Sequence, residues 1–203
     1  QTNLLYIFSL EDIGAPLYYK QYTGSTPDVS AFSDILTEAQ ITGKNYTVIA
    51  DKGFGSQDDF ALMEDFRIKN IIPLKRGNQY VKNKVPVGPS GYTQGFTYHG
   101  RGIHANTYEY KGFHVHLYLD SRLYSDEYAD SVERLEKNNN ALVKRRELEE
   151  QRRSNGKGKL TDAELALLVP KSISQMHKEN PEMGTVTIRT NRLDLNAQQV
   201  YEV

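Results

Sequence analysis

The chain contains no cysteine and no tryptophan among its 203 residues. The missing cysteine excludes a disulfide framework, thiolate zinc sites and a cysteine nucleophile. No apolar run approaches the about 18 residues of a membrane-spanning helix. No charged start followed by an apolar middle marks a secretory leader. A charge imbalance is missing too: 25 Lys and Arg stand against 26 Asp and Glu, a formal net charge of −1. That excludes a uniformly basic nucleic-acid coat and leaves local basic patches open. Neither GxGxxG nor GxxxxGK[ST] occurs, so no glycine-rich phosphate loop is present, and no GxSxG elbow appears.

What remains is a mixed chain of 38% hydrophobic residues with 14 tyrosines. Its length fits one large domain, or one domain plus an insertion, and is ample for a buried core. The start at Gln1, directly before a strand-like run, and the end inside a helix-like run lead us to expect a piece of a longer protein.

Residues 4–22 read as a β-hairpin around the turn segment Glu11–Pro16. Gly24–Pro27 breaks the chain and Asp28 is a helix cap. Val29, Phe32, Ile35, Leu36 and Ala39 then recur at helical spacing, predicting a helix over 29–40. Tyr46–Ala50 is rich in β-branched residues and reads as a strand buried on both faces. Ser56 caps a helix over 57–68 with Phe60, Met63 and Phe66 as its apolar stripe, and Ile71–Leu74 is the next strand. Strand, helix, strand implies parallel neighbours in a covered sheet.

From 77 the composition changes. Turn signals are dense to Gly102, and Tyr108–Leu119 alternates as antiparallel strands around Gly112. Residues 124–154 carry only a thin apolar stripe (Val132, Leu135, Leu142, Leu148), predicting a long solvated helix. Thr161 caps a short helix over 162–169, Thr185–Thr190 alternates as a strand, and Asp194 or Asn196 starts a last helix.

The sharpest candidate for chemistry is Asp51. A carboxylate at the C-terminal end of a buried parallel strand points into the crevice where α/β sheets bind ligands, and it can hold a divalent cation. The alternative is a purely structural cap on the following loop. A metal site needs at least a second convergent carboxylate, and no spacing declares one. Lys75 and Arg76 follow a core strand and are candidates for DNA phosphate contact, against a reading as plain solvated charges. His114 and His116 share one strand face, with His104 and Asp120 in the same region, but nothing fixes a third zinc ligand. Lys144, Arg145, Arg146, Arg152, Arg153, Lys157 and Lys159 form a basic end to the long helix. The interleaved Glu147, Glu149 and Glu150 favour i,i+4 pairing there over phosphate binding. The tyrosines are read mainly as packing residues rather than base-stacking platforms.

The series Tyr22-x-Gly24-x-x-x-Asp28, then Asp51-Lys52-Gly53-Phe54, then Ile72-Pro73-Leu74-Lys75-Arg76 resembles the catalytic core of bacterial DDE transposases, and among them the insertion-sequence 4 superfamily. The order of elements agrees. The resemblance covers about 1–76 well and 184–203 acceptably, and is only architectural between them. It implies an α/β ribonuclease-H-like mixed sheet with flanking helices, interrupted by a β-rich insertion and a long charged helix. On that reading 1–76 is the first part of the core, 77–183 an insertion (β-rich over 77–120, helical over 124–183), and 184–203 a truncated return. The family implies three acids that hold two Mg²⁺ (or Mn²⁺) for in-line phosphoryl transfer. Asp51 matches the second acid. The first acid is expected before Gln1 and the glutamate after Val203. Tyr201 lies near the expected Tyr-x-x-Arg-x-x-x-Glu motif, but no arginine or glutamate follows at the needed spacing.

The resemblance further implies DNA partners (transposon ends and target), a dimeric working complex, no membrane association, and a cytoplasmic, nucleoid-associated setting. This chain by itself is expected to be inactive in catalysis. A non-catalytic DNA- or protein-binding remnant and a metal-dependent nuclease of the same fold are the alternatives.

Overall fold

A computed structural model of the chain describes residues 2–9, 16–24, 28–38 and 46–203. Strands β1 (Thr2–Phe8) and β2 (Pro16–Thr23) form the expected antiparallel hairpin. Its turn over 11–15, the break at 25–27 and the foreseen helix end at 39–40 lie outside the described residues, as do the side chains that would test Asp28 as a cap. Helix α1 (Asp28–Glu38) buries Phe32, Ile35 and Leu36. The hairpin is strapped to this helix: Tyr22 donates to the carbonyl of Ala31 at 3.0 Å, and Tyr18 and Lys20 both reach Glu38.

The predicted strand–helix–strand unit is present as β3 (Thr47–Ile49), α2 (Gln57–Asp65) and β4 (Lys69–Leu74), with β3 and β4 parallel. Ser56 and Asp59 form a reciprocal capping box that satisfies the first amides of α2. One expectation changes. Strand β3 is only part-buried, and Ile49 is 41% exposed. Among the described residues only β4 pairs with it, which leaves it last in the described sheet.

Strands β5 (Gln94–Tyr98), β6 (Arg101–Tyr110) and β7 (Phe113–Asp120) form an antiparallel meander, with Gly112 in the β6–β7 turn. Strand β8 (Thr185–Thr190) lies between β7 and β4, giving the order β3-β4-β8-β7-β6-β5. The strands of 94–120 therefore build no sheet of their own; they extend the sheet that carries β3 and β4.

Side chains alternate across this sheet. Ile72, Val115 and Leu117 join Phe32, Ile35, Phe60 and Met63 in one core under α1 and α2. Ile71, Tyr118 and Ile188 face the other way, against Ala197 and Val200 of α6 (Ala197–Glu202), which Asn196 caps. Tyr118 donates to the carbonyl of Ala197 at 2.7 Å, fixing α6 on the sheet. In the first core the guanidinium of Arg189 lies 3.6 Å from the ring centre of Phe60 and 4.0 Å from that of Phe113, and donates to Glu64 at 2.8 Å.

Helix α3 (Ser121–Ser154) starts where Asp120 accepts from the amides of Arg122 and Leu123. Its 34 residues span about 50 Å. Glu149 is its only buried residue, so the solvated reading holds. Two short helices follow, α4 (Asp162–Ala166), capped by Thr161 as predicted, and α5 (Ile173–Glu179). The sequence reading omitted α5; its only strong mark is a Ser172–Gln175 capping box. The chain re-enters the sheet through Gly184, at φ +73°, where an added Cβ would lie 2.4 Å from Tyr124 Cβ. Among the described residues no helix is long and apolar enough to cross a membrane.

Candidate functional site at the end of strand β3

Asp51 follows β3 after Ala50 and caps a 3₁₀ turn at Lys52–Phe54. Its Oδ1 accepts from the Lys52 amide at 2.6 Å, and its carbonyl accepts from Phe54 at 2.9 Å. The residue is exposed, and Oδ2 has no hydrogen-bond partner among the described residues. The capping and ligand readings therefore coexist: one oxygen holds the turn while the other faces solvent.

A groove of about 470 Å³ lies between this turn and the loop after β4; its lining begins at Lys52, the residue after Asp51. Lys52 and Lys75 line it with Ser56, Gln57, Asn78 and Tyr80. Gln57 donates to the Tyr80 hydroxyl at 2.9 Å, joining the two walls. The parallel pairing of β3 with β4 thus brings Lys75 to the side of the crevice that Lys52 occupies. Sequence reasoning selected Lys75 but not Lys52, Gln57 or Tyr80. Only the position of Lys52, directly after Asp51, offered a signal.

Arg76 points elsewhere. Its guanidinium donates to the Thr185 carbonyl at 3.1 and 3.3 Å and to Glu127 at 2.8 Å. Glu127 in turn accepts from the Gly184 amide at 2.8 Å. Arg76 therefore ties the end of β4 to α3 and to the start of β8, and of the adjacent basic pair only Lys75 lines the groove.

The face of β7 that carries His114 and His116 gathers no metal set. Among the described residues no group of three or more His, Cys, Asp or Glu side chains converges. His116 is buried, its Nδ1 lies 2.9 Å from the Thr107 hydroxyl, and its Nε2 has no partner among the described residues. Asp120 is committed to Arg101 at 2.7 Å and Tyr201 at 3.1 Å besides its capping bonds. Tyr201 is pushed up to about 12 by burial and by that carboxylate.

Burial, and His114 beside it, push His116 down to about 4 from the ordinary 6.5. The unfolded chain then binds a proton that the folded chain rejects, so stability rises with pH across this window. Stability is therefore expected to fall by roughly 3 kcal/mol between pH 7.5 and pH 4 from this residue alone. Urea midpoints at pH 7.5 and pH 4 measure it, and His116→Gln is expected to flatten the difference. An unchanged difference in that variant would contradict the assignment.

A divalent cation fits the Asp51 site only in part. One free carboxylate oxygen is present, and the described residues add no second carboxylate to it. They do not build a two-metal site on their own.

A family model described as the transposase DDE domain matches residues 12–203. No curated protein and no solved structure gives a significant match.

Proposed function

The chain belongs to the family of transposase DDE domains, and on that premise we propose that it grips DNA at the end of β3, where Asp51 is the carboxylate it contributes to a metal-dependent strand-cleavage and strand-transfer centre. The family acts on DNA and depends on divalent metal. The observation that carries the reading is the placement of Asp51, with a free oxygen at a strand end, one residue before a groove lined by Lys52 and Lys75. Two ammonium groups at the mouth of such a groove attract phosphate oxygens through a sequence-independent, salt-sensitive interaction. The Lys52 amide orients the Asp51 carboxylate, and the Gln57–Tyr80 bond ties the two groove walls together. A bound divalent ion would supply Lewis-acid stabilisation of phosphoryl oxygens.

The finer assignment is to the insertion-sequence 4 superfamily, with Mg²⁺ or Mn²⁺ and a dimer on transposon ends and target. One carboxylate cannot hold two ions, so this chain alone is proposed to bind DNA without cutting it. The absence of a second convergent carboxylate among the described residues equally favours a second reading, a DNA-binding remnant of a transposase. Strand-transfer assays on a protein that joins this chain to the two other acids separate the readings: joined 3′-ends support the first, and DNA binding without products supports the second.

The groove makes its own prediction. Lys52→Ala and Lys75→Ala are each expected to reduce the slope of log K against log salt by about 0.9 on duplex DNA. Titrations at several KCl concentrations give the slopes, and wild-type slopes in both variants would contradict a phosphate-binding role for the groove.

A further inference from the structure

Helix α3 carries a second basic groove, far along its length from the sheet. Ala141, Lys144, Arg145, Leu148, Glu149 and Arg152 recur at i, i+3, i+4, i+7, i+8 and i+11, which places them on one helix face. The segment after the helix folds back over that face. Buried Glu149 accepts from the amides of Lys159 and Leu160, the latter at 2.8 Å, and Arg153 donates to the Leu160 carbonyl at 2.7 Å and pairs with Asp162. Gly156 makes the reversal at φ +65°. The result is an open groove of about 490 Å³ whose rim carries Lys144, Arg145, Arg152 and Lys159.

The neighbouring charges are arranged differently. Arg146 pairs with Glu150 at 3.0 Å on another face of the helix. Arg152 lies 3.7 Å from Glu149. Lys144, Arg145 and Lys159 form no ion pair among the described residues, although Glu164 on α4 interacts with Arg145 through space. The pairing expected from the sequence thus holds for part of this basic run and leaves three exposed cations on one groove.

We propose that this groove is a second DNA-backbone site, separate from the one at Asp51. The inference rests on the DNA-binding reading above and names a place that reading does not use. Several exposed cations around an open groove match a row of phosphates, which offers one negative charge per about 1.7 Å of duplex axis.

The test is a fluorescence-anisotropy titration of a labelled 30-base-pair duplex across a KCl series. It compares the wild-type chain, the triple variant Lys144→Ala/Arg145→Ala/Lys159→Ala, the double variant Lys52→Ala/Lys75→Ala, and Arg146→Ala as the paired control. Circular dichroism checks that each stays folded; all the substituted side chains of the triple variant are exposed. The triple variant is expected to bind at least tenfold more weakly near 0.1 M salt, with a slope reduced by about 2.7, three contacts at about 0.9 each. Arg146→Ala is expected to stay within twofold of wild type. A triple variant with wild-type slope and a weakened double variant would overturn this site and leave the Asp51 reading standing. Equal losses in Arg146→Ala would also overturn it, by showing a diffuse charge effect. Absence of salt-dependent binding in the wild-type chain would remove both.

Discussion

Asp51→Asn is expected to reduce DNA strand cleavage at least about 1000-fold in a protein that joins this chain to the two other acids, while DNA affinity stays within a few-fold of wild type. The substitution is nearly isosteric, and an asparagine carbonyl oxygen still accepts from the Lys52 amide, so the 3₁₀ turn keeps its cap. What is lost is the negative charge on the oxygen that faces solvent. A hard divalent cation binds carboxylate far better than amide, and a loss of several kcal/mol in metal-based stabilisation corresponds to about three decades in rate. Phosphate contacts at Lys52 and Lys75 do not depend on that charge. Rates of 3′-end release, measured beside binding titrations, separate the two effects. Loss of DNA binding together with cleavage would instead point to a collapsed turn.

The second large effect concerns stability. Arg189→Ala is expected to lower stability by about 3 kcal/mol, or a melting temperature by roughly 6–12 °C for a chain of this size. The guanidinium lies between Phe60 and Phe113 and carries one charge-assisted bond to Glu64. Truncation removes both ring contacts and opens a cavity between α2 and the sheet. Arg189→Lys keeps the charge and loses the planar stack, so it is expected to recover little. Arg189→Met is the informative variant. Nε of Arg189 already lacks a partner among the described residues, and Glu64 is 60% exposed. An apolar chain of similar volume is therefore expected to recover most of the loss. A methionine variant as unstable as the alanine one would show that the charge, rather than the filled space between the rings, holds α2 down.

Much of the architecture was legible because its signals are local. Ser56, Thr161 and Asn196 sit at their caps, the hairpin falls where two strand-length runs flank a turn segment, β8 falls where alternation placed it, and Phe60 and Met63 form the buried stripe of α2. The unread parts depend on long-range pairing. The sequence does not say that β8 inserts between β4 and β7, which merges the strands of 94–120 with the first sheet. Nor does the β-branched composition of Thr47–Ile49 say that β3 stands last in the described sheet, because composition reports fit to a pleated surface and not the number of neighbours. Helix α5 has only seven residues, too few for periodicity to register.

The candidate site divides in the same way. Asp51 was found because it ends a strand. Lys75 and Arg76 are adjacent, and only tertiary contacts separate a groove-lining lysine from an arginine bound to Thr185 and Glu127. Lys52, Gln57 and Tyr80 come together through the parallel crossover, which no local spacing encodes. On α3, the difference between paired Arg146 and unpaired Arg145 is one helical step, about 100° around the axis.

The central claim is that metal chemistry and DNA meet at the end of β3, and localised iron chemistry tests it most directly. Fe²⁺ replaces Mg²⁺ in the DNA-bound protein that carries this chain with its partner acids, and ascorbate and peroxide generate hydroxyl radicals at the bound ion. The account predicts polypeptide cleavage within a few residues of Asp51, abolished by excess Mg²⁺ and absent from Asp51→Asn. Cleavage confined to other segments, or an unchanged pattern in Asp51→Asn, would contradict it.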